Sequence, residues 1–162
     1  MQLWRISNHC DLEGLGGERS DGRWHTAARG KRIVYLSEHP ALALIETIAN
    51  LKGNPSLFPD KYQLLKLTAA GSVSVEILSS ESLKAAWRAN ARHTRQIGDA
   101  WLISRRSALL EVPSSPSPES KNYLFNPLHP DGTGVQVEWC KWIEYDKRLF
   151  HIHDSSSLIQ LS

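Results

Sequence analysis

The sequence predicts one α+β domain, in which mixed and antiparallel strands form sheets flanked by helices. Segments rich in β-branched and aromatic residues alternate irregularly with segments of helical periodicity, an order unlike a regular parallel βαβ fold. The chain has 162 residues, the size of one domain with at most a short tail. Hydrophobic residues make up 41% and charged residues 22%, so the chain can bury a core.

The first predicted strand and helix follow each other directly. Residues 32–37, Arg-Ile-Val-Tyr-Leu-Ser, have the β-branched and aromatic side chains typical of a strand. The Ser-Glu-His-Pro at 37–40 resembles a helix start with proline in the first turn, and predicts a helix over residues 39–52. The apolar positions of this helix leave Glu46 on a polar stripe, and the Lys-Gly-Asn-Pro at 52–55 is expected to end it.

Two strands and a second helix are predicted next. Residues 62–68 are rich in leucine, and residues 72–78 alternate Val and Ile with Ser and Glu, as in a half-buried strand. The Ser-Ser-Glu-Ser that follows offers helix caps and a first-turn acid, and predicts a helix over residues 81–95. Gly98-Asp99 is expected to break this helix.

Strands dominate the predicted C-terminal half. The segment Pro113–Ser120 contains four serines and three prolines, so it is expected to be a loop. The strands are predicted at 107–112, 121–126, 134–139 and 147–152.

Charge and cysteine content exclude several classes of protein. The 19 Lys and Arg against 17 Asp and Glu leave a net charge of +2, too small to indicate nucleic acid as the main partner. No apolar run approaches the roughly 20 residues that span a bilayer, and no export signal is visible at the N-terminus, so we expect a cytoplasmic protein without membrane contact. Cys10 and Cys140 form no CxxC pair and are expected to be free thiols.

Standard metal and nucleotide motifs are absent from the sequence. His151-x-His153 and His9-Cys10 lack a second matched pair at zinc-like spacing, so we expect no metal. There is no P-loop, nucleophile elbow or dinucleotide Gly-x-Gly-x-x-Gly. The six tryptophans are spread too widely to form a base-stacking platform, and most should belong to the core.

A dispersed but ordered set of motifs stands out instead. The motifs are Gly22-Arg-Trp, a strand ending Val-Tyr-Leu-Ser, a glutamate eleven residues beyond that tyrosine, Ile97-Gly-Asp-x-Trp, Val112-Pro-Ser and Asn126-Pro-x-His-Pro. Together they resemble the RES-domain family of toxins from bacterial toxin–antitoxin modules. The match runs from Trp4-Arg5 to Trp139, so the domain is expected to span residues 1–152 and the remaining residues, 153–162, to form a C-terminal tail.

The resemblance implies the fold of diphtheria-toxin-type ADP-ribosyltransferases and an enzyme that consumes NAD⁺ by breaking the nicotinamide–ribose bond. That cleavage has an oxocarbenium-like transition state, which a nearby carboxylate stabilises; Glu46 matches this position. The pyrophosphate requires bidentate donors, and the family positions imply Arg5 and Arg23. Arg29 and Arg32 remain alternatives, because the segment before Tyr35 is slightly longer than the family spacing.

Four further residues receive roles from the resemblance. Tyr35 matches an aromatic side chain that stacks on the cationic nicotinamide. Ser114 matches the serine that holds Glu46 or the ribose by hydrogen bonds, with Ser115 as an alternative assignment. Trp24 and Asn126 are candidates for the pocket lining.

The resemblance also implies the substrate and the partner. NAD⁺ would be a substrate, so no cofactor is expected, and the partner would be an antitoxin with an Xre-like helix-turn-helix domain that blocks the site in a hetero-oligomer. The reaction could be hydrolysis or phosphorolysis of NAD⁺ that arrests growth. ADP-ribosylation of a cellular protein and a non-enzymatic binding domain of the same fold are the alternatives.

Overall fold

The computed structural model describes residues 1–51 and 59–150, which contain a seven-stranded mixed sheet. The strands are β1 (Gln2–Ile6), β2 (Val34–Ser37), β3 (Lys61–Ala69), β4 (Val75–Ile77), β5 (Leu109–Pro113), β6 (Lys121–Phe125) and β7 (Val135–Glu144). Their order across the sheet is β4-β5-β6-β2-β1-β3-β7. Only β4 and β5 pair in parallel, and the other neighbours are antiparallel. The predicted α+β class is therefore confirmed.

Three helices accompany the sheet within the described residues: α1 (Gly16–Arg19), α2 (Pro40–Asn50) and α3 (Ala91–Ser104). The His39 side chain accepts the Ala41 N–H and so caps α2, and proline follows at the first helical position. Three 3₁₀ turns complete the described structure, at Ser80–Ser82, Pro130–Gly134 and Lys147–Phe150.

The two faces of the sheet bury different apolar clusters. One cluster extends across most of the sheet, since Leu109 of β5 and Val135 of β7 both belong to it. The other lies under α3 and centres on the fully buried Trp101, whose indole N–H donates to Ser107 Oγ at 2.9 Å. Neighbouring positions on β5 alternate between the clusters, as Leu109 and Leu110 show.

The junction between β1 and β2 has fewer registered residue pairs than the other junctions of the sheet. β1 pairs with β3 along its whole length, from Gln2 to Ile6, but it meets β2 through one registered pair, Trp4 and Ser37. The sheet therefore has an opening at its centre, where β2 and the helix after it face β1.

Several element predictions are confirmed with shifted boundaries. β2 begins at Val34, two residues after the predicted start at 32, and the predicted strand at 134–139 extends to Glu144. The predicted strand at 72–78 shrinks to β4, and the serine- and proline-rich loop lies between β5 and β6 as expected. β1 has no counterpart among the sequence predictions.

The predicted helix over 81–95 is wrong. Ser79 does cap a helical start by accepting the Glu81 N–H, but only one 3₁₀ turn follows. α3 begins at Ala91, where the Asn90 side chain accepts the His93 N–H. Gly98 lies inside α3 instead of ending it. The position requires glycine, because the Trp24 backbone carbonyl passes so close that a Cβ would clash with it.

The predicted C-terminal elements lie partly outside the described residues. The predicted strand over 147–152 is a 3₁₀ turn over Lys147–Phe150, and its last two positions are not described. The proposed helix stop at 52–55 and the tail over 153–162 also lie outside the described residues. Within 1–51 and 59–150, no helix is both long and apolar enough to cross a membrane.

The prediction of two free thiols is wrong, because Cys10 and Cys140 form a disulfide bond. The two residues are 130 positions apart in the sequence, and their Cα atoms lie 6.2 Å apart. Cys140 sits opposite Leu65 on β3, which in turn sits opposite Arg5 on β1. The disulfide therefore joins β7 to the segment that follows β1 across the intervening strand β3, a contact that cysteine spacing alone does not reveal.

Replacing Gly98 with alanine tests the contact between α3 and the Trp24 backbone. Helix propensity alone would favour alanine by about 1 kcal/mol. Because the new methyl group meets a backbone carbonyl, we expect Gly98→Ala to lower the free energy of unfolding by about 1–3 kcal/mol, measured by urea denaturation. Gly71→Ala is the matched control, since open space surrounds that position. An equally stable Gly98→Ala protein would contradict the packing described here.

Reduction of the disulfide should destabilise the protein. The bond closes a long loop, and disulfides of this kind contribute typically about 2–4 kcal/mol. We expect dithiothreitol to lower the thermal midpoint of the wild type and to leave that of the Cys10→Ser/Cys140→Ser variant unchanged. Equal midpoints of the wild type with and without reductant would show that the bond does not form in solution.

Candidate functional site

A cavity of about 690 Å³ opens at the seam between β1 and β2. Its volume is in the range of small-molecule and cofactor sites. Strand β1 contributes Trp4 and Arg5 to its wall, and β2 contributes Tyr35 and Ser37. The rest of the wall comes from α1, from the segment between α1 and β2, from one side of α2, from the loop after β5 and from Asn122 of β6.

Helix α2 places Glu46 at the centre of this wall. Helical periodicity aligns Glu46 with Ala43 and Asn50, and all three line the cavity. Leu42 and Ala43 are buried and anchor the helix on the sheet, so the half-buried Glu46 side chain faces the strands and not the solvent side of α2. The polar stripe predicted from the sequence is therefore the wall of a cavity.

The Glu46 carboxylate is fixed by two hydrogen bonds to the same oxygen. Ser114 Oγ donates to Oε1 at 2.7 Å, and the Asn122 side-chain amide donates to the same atom. Asn122 is itself oriented by Ser37, whose hydroxyl donates to the Asn122 side-chain oxygen at 2.8 Å. The second carboxylate oxygen, Oε2, accepts no hydrogen bond from the part of the chain that the structure describes, so it is the oxygen that can serve a ligand.

Ser114 supports the site from behind the cavity wall. Its side chain is fully buried; its hydroxyl donates to Glu46 and accepts the Ser117 N–H at 3.2 Å. The neighbouring Ser115 lines the cavity together with Pro116. Ser114 is the serine that holds the glutamate, and Ser115 is the one that a ligand can reach.

Two of the four candidate arginines line the cavity. Arg5 donates from Nη1 to the Asp11 carbonyl at 2.9 Å, and burial lowers its pKa while the Asp11 charge opposes that shift. Arg23 donates from Nη1 to the Arg88 carbonyl at 2.7 Å. Each of these bonds occupies one guanidinium nitrogen, and the other nitrogens have no partner among residues 1–51 and 59–150, so they can bind an anion.

The other two arginines lie away from the cavity wall. Arg29 is exposed, and Arg32 pairs with Glu18 across 3.6 Å. Neither belongs to the lining, so the structure places only Arg23 of this segment where the sequence resemblance assigned an arginine.

Tyr35 and Trp24 meet at the inner end of the cavity. Trp24 is buried and packs against Trp87, with ring centroids 5.9 Å apart. The Trp24 N–H donates to the Tyr35 hydroxyl at 3.1 Å, and that hydroxyl lies 2.8 Å from His25 Nδ1. Burial raises the pKa of Tyr35, so the phenol is neutral at physiological pH.

The structure does not bring Asn126 to the cavity. Its N–H donates to the Ala108 carbonyl at 2.9 Å, and its side-chain oxygen accepts the Leu128 N–H at 3.0 Å. Asn126 is buried and stabilises the turn after β6. The sequence prediction that Asn126 lines the pocket is therefore wrong, and Asn126 instead stabilises the fold.

Sequence reasoning missed three residues of the site: Ser37, Asn122 and His25. A signal existed for Asn122, because Asn122 and Leu124 share one face of a strand that is otherwise apolar there, and a polar residue in such a place needs a partner. No comparable signal marked His25, since its partners come from separate segments. Among residues 1–51 and 59–150, no three His, Cys, Asp or Glu side chains converge on a possible metal position.

Fold and site together define a class of protein: one α+β domain whose mixed sheet opens onto a cavity lined by arginines and by a hydrogen-bonded glutamate. A chain of the M. tuberculosis MbcT–MbcA toxin–antitoxin complex has this fold, with a TM-score of 0.71 at 15% identity over 88% of this chain and 84% of that one. The sequence pattern of the RES domain matches residues 2–147. The chain therefore belongs to the RES domain family, which confirms the resemblance found in the sequence.

Two relatives align over nearly the whole chain. The protein named Toxin Res from Pseudomonas putida is 38% identical over 150 residues, which cover 93% of this chain and 100% of that protein. The protein named Prs ADP-ribosylating toxin from Sphingobium sp. is 35% identical over 158 residues, which cover 91% of this chain and 95% of that protein.

Asn122→Asp tests the arrangement around Glu46 with almost no change of shape. It places a second carboxylate against Glu46 Oε1 in place of an amide donor. We expect a lower thermal midpoint at pH 7 because the two negative charges repel each other, and a smaller loss at pH 5, where one carboxyl group binds a proton. An equal penalty at both pH values, after subtraction of the wild-type change, would contradict the contact.

Proposed function

We propose that this chain is the toxin of a toxin–antitoxin pair and that it cleaves the nicotinamide–ribose bond of NAD⁺. The observation that carries the proposal is Glu46, held through Oε1 by Ser114 and Asn122 at a cavity that Arg5 and Arg23 also line. The printed names of the two relatives and the toxin–antitoxin complex that shares the fold support the toxin part of the proposal.

The residues can perform the reaction without a covalent enzyme intermediate. The bond between the nicotinamide nitrogen and ribose C1′ breaks, and nicotinamide leaves with the bonding electron pair. Positive charge then develops on the ribose, and Glu46 Oε2 stabilises it by electrostatic attraction. The oxygen of water or phosphate bonds to C1′, and with water as the nucleophile the proton is released to solvent. Ser114 acts through Glu46 in this scheme and attacks nothing.

The remaining cavity residues bind the dinucleotide. The free guanidinium nitrogens of Arg5 and Arg23 match the pyrophosphate, and the Tyr35 ring attracts the cationic nicotinamide before cleavage. NAD⁺ is the substrate in this proposal, and no other cofactor takes part. We place the protein in the cytoplasm, where this substrate is available, with an antitoxin of Xre-like helix-turn-helix type covering the cavity in a hetero-oligomer.

Transfer of ADP-ribose to a protein is the second candidate function. The name of the Sphingobium relative describes that activity for that protein. The same cavity would bind NAD⁺ and the same glutamate would stabilise the ribose cation, but a side chain of the acceptor protein would attack C1′. The fate of the ADP-ribose distinguishes the two functions.

Chromatography of NAD⁺ incubated with the purified protein tests both functions. We expect free nicotinamide, together with ADP-ribose or, only when phosphate is present, a phosphorylated ADP-ribose. Glu46→Gln should lower kcat by about a hundredfold or more, because the charge that stabilises the transition state is lost. Glu81→Gln is the matched control, since Glu81 is exposed and lies outside the cavity lining. Circular dichroism confirms that both variants fold.

Two outcomes would overturn the proposal that water or phosphate receives the ADP-ribose. Unchanged NAD⁺ in the presence and absence of phosphate and cell extract would show that the chain does not consume it. Label from NAD⁺ that remains on a protein of the extract, without free ADP-ribose, would establish transfer instead. Expression of the wild type should arrest growth, and expression of Glu46→Gln should not.

A further inference from the structure

His25 borders the cavity and has no part in the proposed reaction so far. Its side chain is buried at 3% exposure and lies between Gly17 and Tyr35. A buried histidine at the wall of a ligand cavity needs a partner for each ring nitrogen. The identity of those partners determines which nitrogen carries the proton.

The hydrogen-bonding partners assign one tautomer to His25. Nε2 lies 3.2 Å from the Gly17 carbonyl oxygen, which can only accept, so Nε2 carries the proton and donates it. In the neutral ring Nδ1 is then an acceptor, and the Tyr35 hydroxyl at 2.8 Å donates to it. The Tyr35 oxygen in turn accepts the Trp24 N–H. The single proton of the Tyr35 hydroxyl is therefore committed to His25.

Gly22 makes room for this arrangement. A Cβ at position 22 would clash with the Tyr35 hydroxyl and would come within 2.6 Å of His25 Nδ1. The Gly22 N–H donates to the His25 carbonyl at 3.0 Å, which closes a tight turn around the pair. The imidazole of His25 is thus positioned by the backbone hydrogen bond to Gly22 and by the contacts of its two ring nitrogens.

Most of the charged side chains near His25 and Tyr35 form ion pairs with each other. Lys31 and Asp99 form an ion pair at 2.8 Å, and Arg95 and Asp21 form another at 3.1 Å. These four groups act on His25 or Tyr35, and Arg23 adds a positive charge near the phenol. Burial is the largest influence on His25 and lowers its pKa, while the Gly17 hydrogen bond opposes that shift. The ring is therefore neutral at pH 7.

We propose that His25 is a positioning residue for substrate binding, which holds the Tyr35 hydroxyl away from the ligand so that only the aromatic ring faces the dinucleotide. Protonation of His25 replaces the acceptor at Nδ1 with a donor. The Tyr35 proton must then turn to another acceptor, and the ring loses its fixed orientation. Since burial lowers the pKa of His25 below the ordinary value of about 6.5, the change takes place at acidic pH.

Steady-state kinetics from pH 5 to pH 8 test this role, which rests on the proposed NAD⁺ cleavage. For the wild type, we expect the KM for NAD⁺ to rise toward the acidic end of this range, because burial lowers the pKa of His25. His25→Leu removes the acceptor and should raise KM about tenfold at every pH, with kcat within about threefold of the wild type. His25→Asn retains an acceptor near Nδ1 that does not titrate, so it should restore most of the affinity and abolish the acidic rise in KM.

A double-mutant cycle with Tyr35→Phe tests whether His25 acts through the tyrosine hydroxyl. Both substitutions remove the same hydrogen bond, so the KM of His25→Leu/Tyr35→Phe should be close to that of the worse single variant. Additive effects on KM would overturn the proposal. An acidic rise in KM that persists in His25→Asn would overturn it as well, because another group would then be responsible.

Failure of the proposed function can be told apart from failure of this inference. If the wild type does not cleave NAD⁺ at any pH, the proposed function is wrong, and the same cycle is then measured by urea denaturation. Coupling between positions 25 and 35 that is present at pH 8 and weakens as the pH falls would support the arrangement without any substrate. Absence of coupling at pH 8 would overturn it.

Discussion

The hydrogen bonds to Glu46 Oε1 are the interaction on which the site depends. A carboxylate half-buried between a helix and a sheet is costly to desolvate unless donors satisfy it. Ser114 and Asn122 supply those donors from the loop after β5 and from β6, and Ser37 links Asn122 to β2. One oxygen atom thus connects α2 with three neighbouring parts of the central sheet. Because both bonds end on Oε1, Oε2 is left without a partner among the described residues, and the bonds that support the fold also prepare the site.

This arrangement explains why much of the site could be predicted from the sequence. The periodicity of α2 and the polar stripe that contains Glu46 are local features, and a resemblance between ordered motifs identified Arg5, Arg23 and Tyr35 as its companions. The supporting residues were harder to find. Ser37 appears in the sequence as the end of a strand and the beginning of a helix start, whereas its role in the site depends on its register with Asn122, 85 residues away.

The errors in the fold prediction have the same physical origin. Gly98 is a helix breaker by propensity, but in α3 the missing side chain admits the Trp24 carbonyl, so tertiary packing outweighs propensity. The Cys10–Cys140 bond depends on β1, β3 and β7 being neighbours, and β1 was not predicted at all. Local patterns were sufficient for the elements with strong periodicity. Contacts that join distant segments required the coordinates.

Glu46 and Tyr35 are held in the cavity wall in the same way. One carboxylate oxygen of Glu46 is hydrogen-bonded to the protein, and the other can interact with a ligand. The Tyr35 hydroxyl is likewise hydrogen-bonded to His25 and Trp24, and the aromatic ring can contact a ligand. Preorganisation of this kind removes the need to reorient dipoles when a ligand binds, which is the main electrostatic advantage of an enzyme over water. In the proposed reaction it would also separate the two tasks, because charge stabilisation would depend on the bonds around Glu46 and recognition of an aromatic cation on those around Tyr35. Substitutions at Ser37 or Asn122 should therefore act on the chemical step, and substitutions at His25 or Gly22 should act on binding.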